Sequence, residues 1–119
     1  MYAKPVVAPE LESVNSIEES VGQLMVISSD RSLGESVEQP IKYYMHNVSN
    51  TLVLLEAMKA HSVSKVIFSS SATVYGAADH IPTPESADAN RATNPYGQSK
   101  VVVERILRDC ADAYPDWNV

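Results

Sequence analysis

A short apolar run, VIF at 66–68, stands between two longer segments with helical periodicity, and this arrangement limits the fold more than any other feature. The run is continuous and contains β-branched residues, which is typical of a strand buried on both faces. Before it, in the segment 40–60, apolar residues recur at spacings of three and four: Ile41, Tyr44, Val48, Leu52, Leu55 and Met58. The alternation of helix and strand predicts an α/β fold with a parallel sheet.

The second helical segment, 95–113, has clear signals at both ends. Asn94 is the predicted N-cap and Pro95 the first helical residue, while Pro115 stops the helix after residue 113. One apolar face is expected from Val102, Val103, Ile106, Leu107 and Cys110. Cys110 is the single cysteine, and we expect it to be a small core residue.

Shorter signals complete the predicted order of elements. The segment QLMVISS at 23–29 is expected to be a buried strand, and Pro40 suits the first turn of the helix that follows. Residues 77–93 contain two prolines and no periodicity, which predicts a loop, and 116–119 resemble the start of another strand. The predicted order is strand, helix, strand, long loop, helix and the first step of a strand.

Composition excludes several classes of function. The chain has 119 residues, enough for one small domain, and a net charge of -6, which disfavours binding to nucleic-acid phosphates. It contains no apolar run near the roughly 20 residues that cross a bilayer, and its start does not resemble a signal peptide. One cysteine cannot form an internal disulfide, so a cytoplasmic location is expected.

Two polar stretches have residue types suited to catalysis. In NPYGQSK, at 94–100, Tyr96 and Lys100 are four residues apart and therefore on one helical face. A nearby ammonium favours a phenolate, which makes a tyrosine usable as a general acid or base. In SSSATVYG, at 69–76, Ser71 follows the apolar strand at the sheet edge where ligands bind. The alternatives are an exposed Tyr–Lys pair and serines that only cap the strand end.

SSSATVYG and NPYGQSK, together with the segment from GESVEQP to VIF, resemble the extended short-chain dehydrogenase/reductase family, and within it the UDP-glucose 4-epimerases. The resemblance implies a Rossmann-like, doubly wound parallel sheet, NAD as the cofactor and UDP-glucose and UDP-galactose as substrates. It implies that Tyr96 transfers a proton, that Lys100 contacts the nicotinamide ribose and that Ser71 binds the sugar oxygen. Asn47 is similar to the family's cofactor-contacting Asn. The resemblance implies no metal site.

The resemblance extends over residues 33–119 of what we expect to be a single partial NAD-dependent epimerase domain, and segment 1–22 has no counterpart. No two of the four glycines lie within three residues, so the glycine-rich turn of the family is not found. We therefore expect a partial fold without the first dinucleotide-binding strands and without the C-terminal substrate domain. Arg31 has the positive charge of a Lys that contacts the cofactor in the family, so the resemblance implies a cofactor contact for Arg31 as well.

Three functions remain open from the sequence. The resemblance favours an epimerase, which is expected to be truncated. The related 4,6-dehydratases carry an acidic pair for the elimination of water where this chain has Ala72 and Thr73, so a dehydratase is not expected. An NAD-dependent sugar-nucleotide reductase would use the same Tyr and Lys. A non-catalytic dimerising fragment is the third, because helices 40–60 and 95–113 resemble those of the family's dimer interface, which implies a homodimer. Packing on the sheet would explain their apolar faces as well.

Overall fold

The computed structural model describes residues 24–27, as backbone, and residues 33–119. Strand β1, Leu24–Ile27, pairs in parallel with strand β2, Val66–Ser69, so that Leu24 lies opposite Val66 and Ile27 opposite Ser69. The strand predicted at 23–29 is therefore confirmed, as is the parallel pairing. Parallel neighbours require a crossover connection, and helices supply it here.

The described part of the crossover, from residue 33 onward, contains one helix more than the sequence predicts. Helix α1 covers Leu33–Glu38, and helix α2, Pro40–Tyr44, begins with Pro40 in its first turn as predicted. A π-helical segment, Met45–Ser49, joins α2 to helix α3, Asn50–Ala60. The helix predicted over 40–60 is confirmed in extent, but α1 and the change to π-helical geometry were not predicted.

The buried face of the crossover differs from the predicted stripe in its N-terminal half. The buried residues are Tyr43, Asn47, Thr51, Leu55 and Met58, whereas Ile41 is 78% exposed. A π-helical turn bonds residue i to i+5 and so holds an extra residue, which rotates the side chains before it relative to those after it. The predicted burial of Ile41 and Tyr44, which precede this segment, is wrong for this reason. The predicted burial of Leu52 is also wrong, and that of Leu55 and Met58 is confirmed.

The core lies between α3, β2 and the last helix. Its buried members are Leu55, Met58, Val63, Val66, Val103 and Leu107, and the half-buried Cys110 packs against them. Burial raises the pKa of the Cys110 thiol, in keeping with its predicted place at the core. Within the described part of the chain, Val66 is buried and Ile67 is 50% exposed, so burial of β2 on both faces is not observed. The described helices that form this core pack on the Val66 side.

The second predicted helix is observed as helix α4, Pro95–Ala113. The Asn94 side chain accepts a hydrogen bond of 2.8 Å from the Gly97 N–H, which confirms the cap. Between β2 and α4 lie a 3-10 helix, Ala72–Tyr75, and the predicted loop. Asn118 forms a parallel bridge with Lys65, which confirms the predicted step of a further strand. Among the residues that the structure describes, no helix is both long and apolar enough to cross a membrane.

Candidate active site

Tyr96 and Lys100 meet on the buried face of α4, at the carboxyl end of β2. The Nζ atom of Lys100 lies 5.9 Å from the centre of the Tyr96 ring and 4.8 Å from that of Phe68. It donates a hydrogen bond of 3.0 Å to the backbone carbonyl of Ser69, the last residue of β2. The predicted pairing on one helical face is therefore present, at the sheet edge where ligands bind in open α/β folds.

Lys100 is only 1% exposed, which is unusual for a lysine. A buried ammonium is costly unless donors and acceptors compensate the lost hydration. The Ser69 carbonyl and the two aromatic faces provide part of that compensation. The interpretation of Tyr96 and Lys100 as an exposed surface pair is thus wrong, since both side chains are buried.

The Tyr96 side chain is buried, yet its hydroxyl group reaches the surface. The residue is 5% exposed, and among the described residues its hydroxyl has no hydrogen-bond partner. Every buried side-chain N and O atom of that part of the chain has a partner, so the unpartnered Tyr96 oxygen lies at accessible surface. A fixed ring with an available hydroxyl suits a group that exchanges a proton with a bound molecule.

Ser71 caps the 3-10 helix that follows β2. Its hydroxyl oxygen accepts hydrogen bonds from the Thr73 N–H at 3.3 Å and from the Thr73 hydroxyl at 2.9 Å. Ser71 therefore has a capping role, although it caps the 3-10 helix and not the strand end. Because both bonds are accepted, the O–H proton of Ser71 remains able to bind another oxygen.

Gly97 brings the Ser71 turn against the start of α4. A Cβ atom at Gly97 would lie 2.9 Å from the Cβ atom of Ala92 and 3.2 Å from the Thr73 carbonyl oxygen. The absence of a side chain thus lets the 3-10 helix approach the turn that carries Tyr96. Ser71 and Tyr96 consequently belong to one packed region, although they are distant in sequence.

Asn47 reaches the same helical turn from the π-helical segment. Its Nδ2 atom donates a hydrogen bond of 2.8 Å to the Ser99 hydroxyl, which in turn donates one of 2.6 Å to the Tyr96 carbonyl. Asn47 is 4% exposed and Ser99 is fully buried. The predicted cofactor-contacting Asn therefore lies against the predicted catalytic turn, with one amide hydrogen engaged by Ser99.

Tyr43 packs on Tyr96 from the crossover helices. The two rings are edge to face, with centres 6.3 Å apart and planes at 85°. The Tyr43 hydroxyl donates to Glu35 at 2.8 Å, and Lys42 forms an ion pair of 2.7 Å with the same carboxylate. The Lys42 and Tyr43 hydrogen bonds lower the pKa of Glu35. The position of the Tyr96 ring is thus linked to an ionised carboxylate on α1.

Four of the five predicted site residues are together in the structure: Ser71, Tyr96, Lys100 and Asn47. Arg31 lies outside the described residues. Ser99, Gly97 and Tyr43 were not predicted. The available signal for Ser99 was its place on the same helical stripe as Tyr96 and Val103, where a polar residue must find a buried partner.

Comparison with known proteins gives the family. A model of the NAD dependent epimerase/dehydratase family matches residues 12–119. The chain belongs to this family. The match begins within the segment 1–22, which was predicted to have no counterpart in the family, and the proposed division of the domain stays a prediction.

Individual family members are similar over most of this chain. UDP-glucose 4-epimerase of Yersinia enterocolitica is 53% identical over 89 residues, which cover 75% of this chain and 26% of that protein. The enzyme of the same name from Bacillus subtilis is 43% identical over 110 residues, 91% of this chain and 32% of that protein. This chain therefore spans about a quarter to a third of these relatives.

A solved structure of the family supports the fold directly. UDP-glucose 4-epimerase from Bifidobacterium longum, in complex with NAD+ and UDP, superposes with a TM-score of 0.83 at 43% identity. The match covers 98% of this chain and 35% of that one. The prediction of a partial Rossmann-like α/β fold is confirmed.

The donor groups at the site fit part of a dinucleotide. Three polar groups lie at or near the carboxyl end of β2: the Lys100 ammonium, the Ser71 hydroxyl and the Tyr96 hydroxyl. Sugars such as ribose and hexose can form hydrogen bonds with groups of this kind.

Proposed function

We propose that this chain contributes the catalytic segment of a UDP-glucose 4-epimerase, which interconverts UDP-glucose and UDP-galactose through a 4-keto sugar. The proposal is carried by one observation, the buried Lys100 ammonium beside a Tyr96 ring whose hydroxyl reaches the surface. The similarity to proteins of that name over most of the chain supports it.

In the proposed reaction, Tyr96 moves the proton at the sugar 4-oxygen. Its oxygen, in the phenolate form, accepts that proton as the C4 carbon is oxidised, and the resulting hydroxyl returns the proton when the ketone is reduced from its other face. The buried ring, held edge-on by Tyr43, keeps the reacting oxygen in one position. Fixed geometry of this kind lowers the entropic part of an activation barrier.

Lys100 has two functions in the proposal. Its positive charge stabilises the negative charge that the Tyr96 oxygen carries during proton transfer, and its ammonium group is proposed to hydrogen-bond a ribose hydroxyl. Burial strengthens the electrostatic effect, because little water screens the charge. The bond to the Ser69 carbonyl keeps the ammonium at the strand end.

Ser71 donates a hydrogen bond from its hydroxyl to the same sugar oxygen in the proposal, which helps to align the proton transfer to Tyr96. NAD, when bound, supplies the acceptor for the C4 hydride. Asn47 and Lys100 are proposed to contact it, and Arg31 is proposed to do so by charge.

The structure favours epimerisation over elimination of water. Ala72 and Thr73 occupy the positions where dehydratases carry an acidic pair, and the Thr73 hydroxyl is bonded to Ser71. Neither side chain can act as a carboxylic acid. A reductase would use the same Tyr96 and Lys100, and product analysis separates it from an epimerase.

The proposal is tested in a hybrid enzyme. Residues 33–119 replace the corresponding segment of the Yersinia enterocolitica UDP-glucose 4-epimerase, and turnover of UDP-galactose is measured. We expect UDP-glucose as the product, without net consumption of NADH. A folded hybrid without turnover would overturn the proposal, and a product other than the 4-epimer would favour another member of the family.

We also propose that the intact enzyme is a homodimer. Apolar side chains on the outer surface of α1, α2, α3 and the π-helical segment support this, since they are exposed: Val37, Ile41, Tyr44, Met45, Leu52 and Val53. Patches of this kind mark protein interfaces. Sedimentation velocity of the hybrid tests it, and Ile41→Glu is expected to shift a dimer toward monomer.

A cytoplasmic location is proposed as well. The single cysteine supports it, because disulfide-dependent stability is not available to this chain. Fractionation of cells that express the tagged chain is the direct measurement.

A further inference from the structure

Ser99 occupies the contact between the crossover helices and the turn that carries Tyr96 and Lys100. It is fully buried, and both hydrogen-bonding functions of its hydroxyl are used: it accepts from Asn47 Nδ2 at 2.8 Å and donates to the Tyr96 carbonyl at 2.6 Å. A serine in a helix often donates to the carbonyl three residues earlier. The second bond, to a side chain 52 positions away, is the unusual one.

The Tyr96 carbonyl is part of the peptide framework that sets the spacing of the two catalytic candidates. In an α-helix this oxygen also accepts the backbone N–H of residue 100, four positions later. The Ser99 hydroxyl therefore acts on the same oxygen that closes the turn between Tyr96 and Lys100. The two hydrogen bonds of Ser99 therefore couple the orientation of the Asn47 amide to the geometry of that turn.

We propose that Ser99 is a positioning residue, which holds the Asn47 amide and the Tyr96–Lys100 turn in register with each other. The inference rests on the proposed function for its kinetic consequence but not for its structural one. Ser99 itself touches no reacting atom in the proposal. It acts through Asn47 on the cofactor side and through the Tyr96 carbonyl on the proton-transfer side.

The alternative is that Ser99 is only a small residue in a tight space. Ser99→Ala keeps the small size and removes both bonds, while Ser99→Thr retains the hydroxyl. Thr51→Val is the matched control, because Thr51 is also buried and its hydroxyl donates to the backbone carbonyl of Asn47 at 2.6 Å. That change removes an equally buried hydroxyl without touching the bond between Asn47 and Ser99.

The first measurement needs no activity and uses the full 119-residue chain. Hydrogen exchange of the Asn47 side-chain amide is followed by NMR, with the exposed Asn90 as the internal reference. We expect exchange of the Asn47 amide to accelerate by about tenfold or more in Ser99→Ala, as when a buried bond opens, and to stay near the native rate in Ser99→Thr and Thr51→Val. Unchanged exchange in Ser99→Ala would overturn the proposed link.

The second measurement is the split between kcat and KM in the hybrid enzyme. Ser99→Ala is expected to lower kcat by about 10-fold to 100-fold, since small displacements of reacting groups have effects of that size, while KM for UDP-galactose stays near its native value. Ser99→Thr should restore much of kcat. Native kcat in Ser99→Ala, or an equal loss in Thr51→Val, would overturn the positioning role. A native hybrid without turnover would instead refute the proposed function, and the exchange measurement would still decide the link.

Discussion

The ammonium nitrogen of Lys100 lies 5.9 Å from the centre of the Tyr96 ring, one helical turn away on α4. Both side chains are buried, so packing against their neighbours fixes their relative position. The pair therefore behaves as one unit, and changes at either residue are expected to affect the same chemical step.

Tyr96→Phe in the hybrid removes the hydroxyl and keeps the ring. We expect turnover of UDP-galactose to fall by about 10²- to 10⁴-fold, the usual contribution of a general acid or base, while the edge-to-face contact with Tyr43 maintains the fold. Tyr75→Phe is the matched control, because it removes a hydroxyl from a half-buried tyrosine of the 3-10 helix. Near-native turnover in Tyr96→Phe would refute the assignment.

Lys100→Met replaces a buried cation by an unbranched side chain of similar length. We expect turnover in the hybrid to drop by about 10²-fold or more, because the charge beside the phenol is lost. Circular dichroism should remain native, since Met adapts to irregular space. Lys59→Met serves as the control, since Lys59 is exposed and bonds Tyr114. Equal losses in both variants would contradict a specific role for Lys100.

Ser71→Ala should be milder than Tyr96→Phe. The change removes a hydrogen-bond donor to the proposed sugar oxygen and the cap of the 3-10 helix, but the proton-transferring group remains. Ser70→Ala is the comparison, because the adjacent Ser70 hydroxyl bonds Glu104 of α4. The measurement is UDP-galactose turnover in the two hybrids. A larger loss in Ser70→Ala than in Ser71→Ala would count against Ser71 as a substrate ligand.

Gly97→Ala is expected to destabilise the chain, although Ala favours helices. Its Cβ atom would lie 2.9 Å from the Ala92 Cβ atom and 3.2 Å from the Thr73 carbonyl, so the 3-10 helix must move. Overpacking of this kind costs about 1–3 kcal/mol of unfolding free energy. Gly34→Ala meets nothing within 4 Å and should be neutral or stabilising. Thermal unfolding measures both, and a higher Tm for Gly97→Ala would show that the contact is not tight.

Glu35 predicts a dependence of stability on pH. Its pKa is lowered by hydrogen bonds from Lys42 and Tyr43, so the folded state favours the carboxylate. The stabilisation is therefore complete above the pKa of the unfolded chain and is lost as pH falls through the lower, folded value. Glu35→Gln should unfold more easily than the native chain at neutral pH, and this difference should shrink in acid.

Urea unfolding at a series of pH values gives the measurement for Glu35. Glu38→Gln, an exposed position at the end of the same helix, is the control and should show no comparable change. A difference between Glu35→Gln and the native chain that is independent of pH would contradict the stabilised carboxylate.

Local signals in the sequence were sufficient for most of the elements. The Asn94 cap, Pro95 in the first turn and the apolar strand at 66–68 each depend on a few adjacent residues, and the structure agrees with them. The π-helical segment was not predictable in this way, because it depends on how Tyr43 and Asn47 pack against α4. A regular period of 3.6 residues therefore assigned Ile41 to the wrong face.

The candidate site shows the same division. The i, i+4 spacing of Tyr96 and Lys100 survives in the structure, since it is a property of one helix. The contacts of Ser99 with Asn47 and of Gly97 with Thr73 join segments that the sequence separates, and no local pattern specifies them. Only the tertiary arrangement reveals that a hydroxyl is engaged at Ser99 and that a side chain is excluded at Gly97.

The two ends of the loop between the 3-10 helix and α4 lie close together. Gly76 has a φ of 62°, and a Cβ atom there would lie 2.1 Å from the Arg91 carbonyl oxygen, while the Arg91 N–H donates to Val74 at 3.0 Å. Arg91 also pairs with Asp79 across the base of the loop. The two ends are thus joined independently of what lies between them. Insertions or deletions beyond this closure can change the loop without moving Ser71 or Tyr96. In the proposed enzyme, substrate selectivity can therefore evolve in this loop separately from proton transfer.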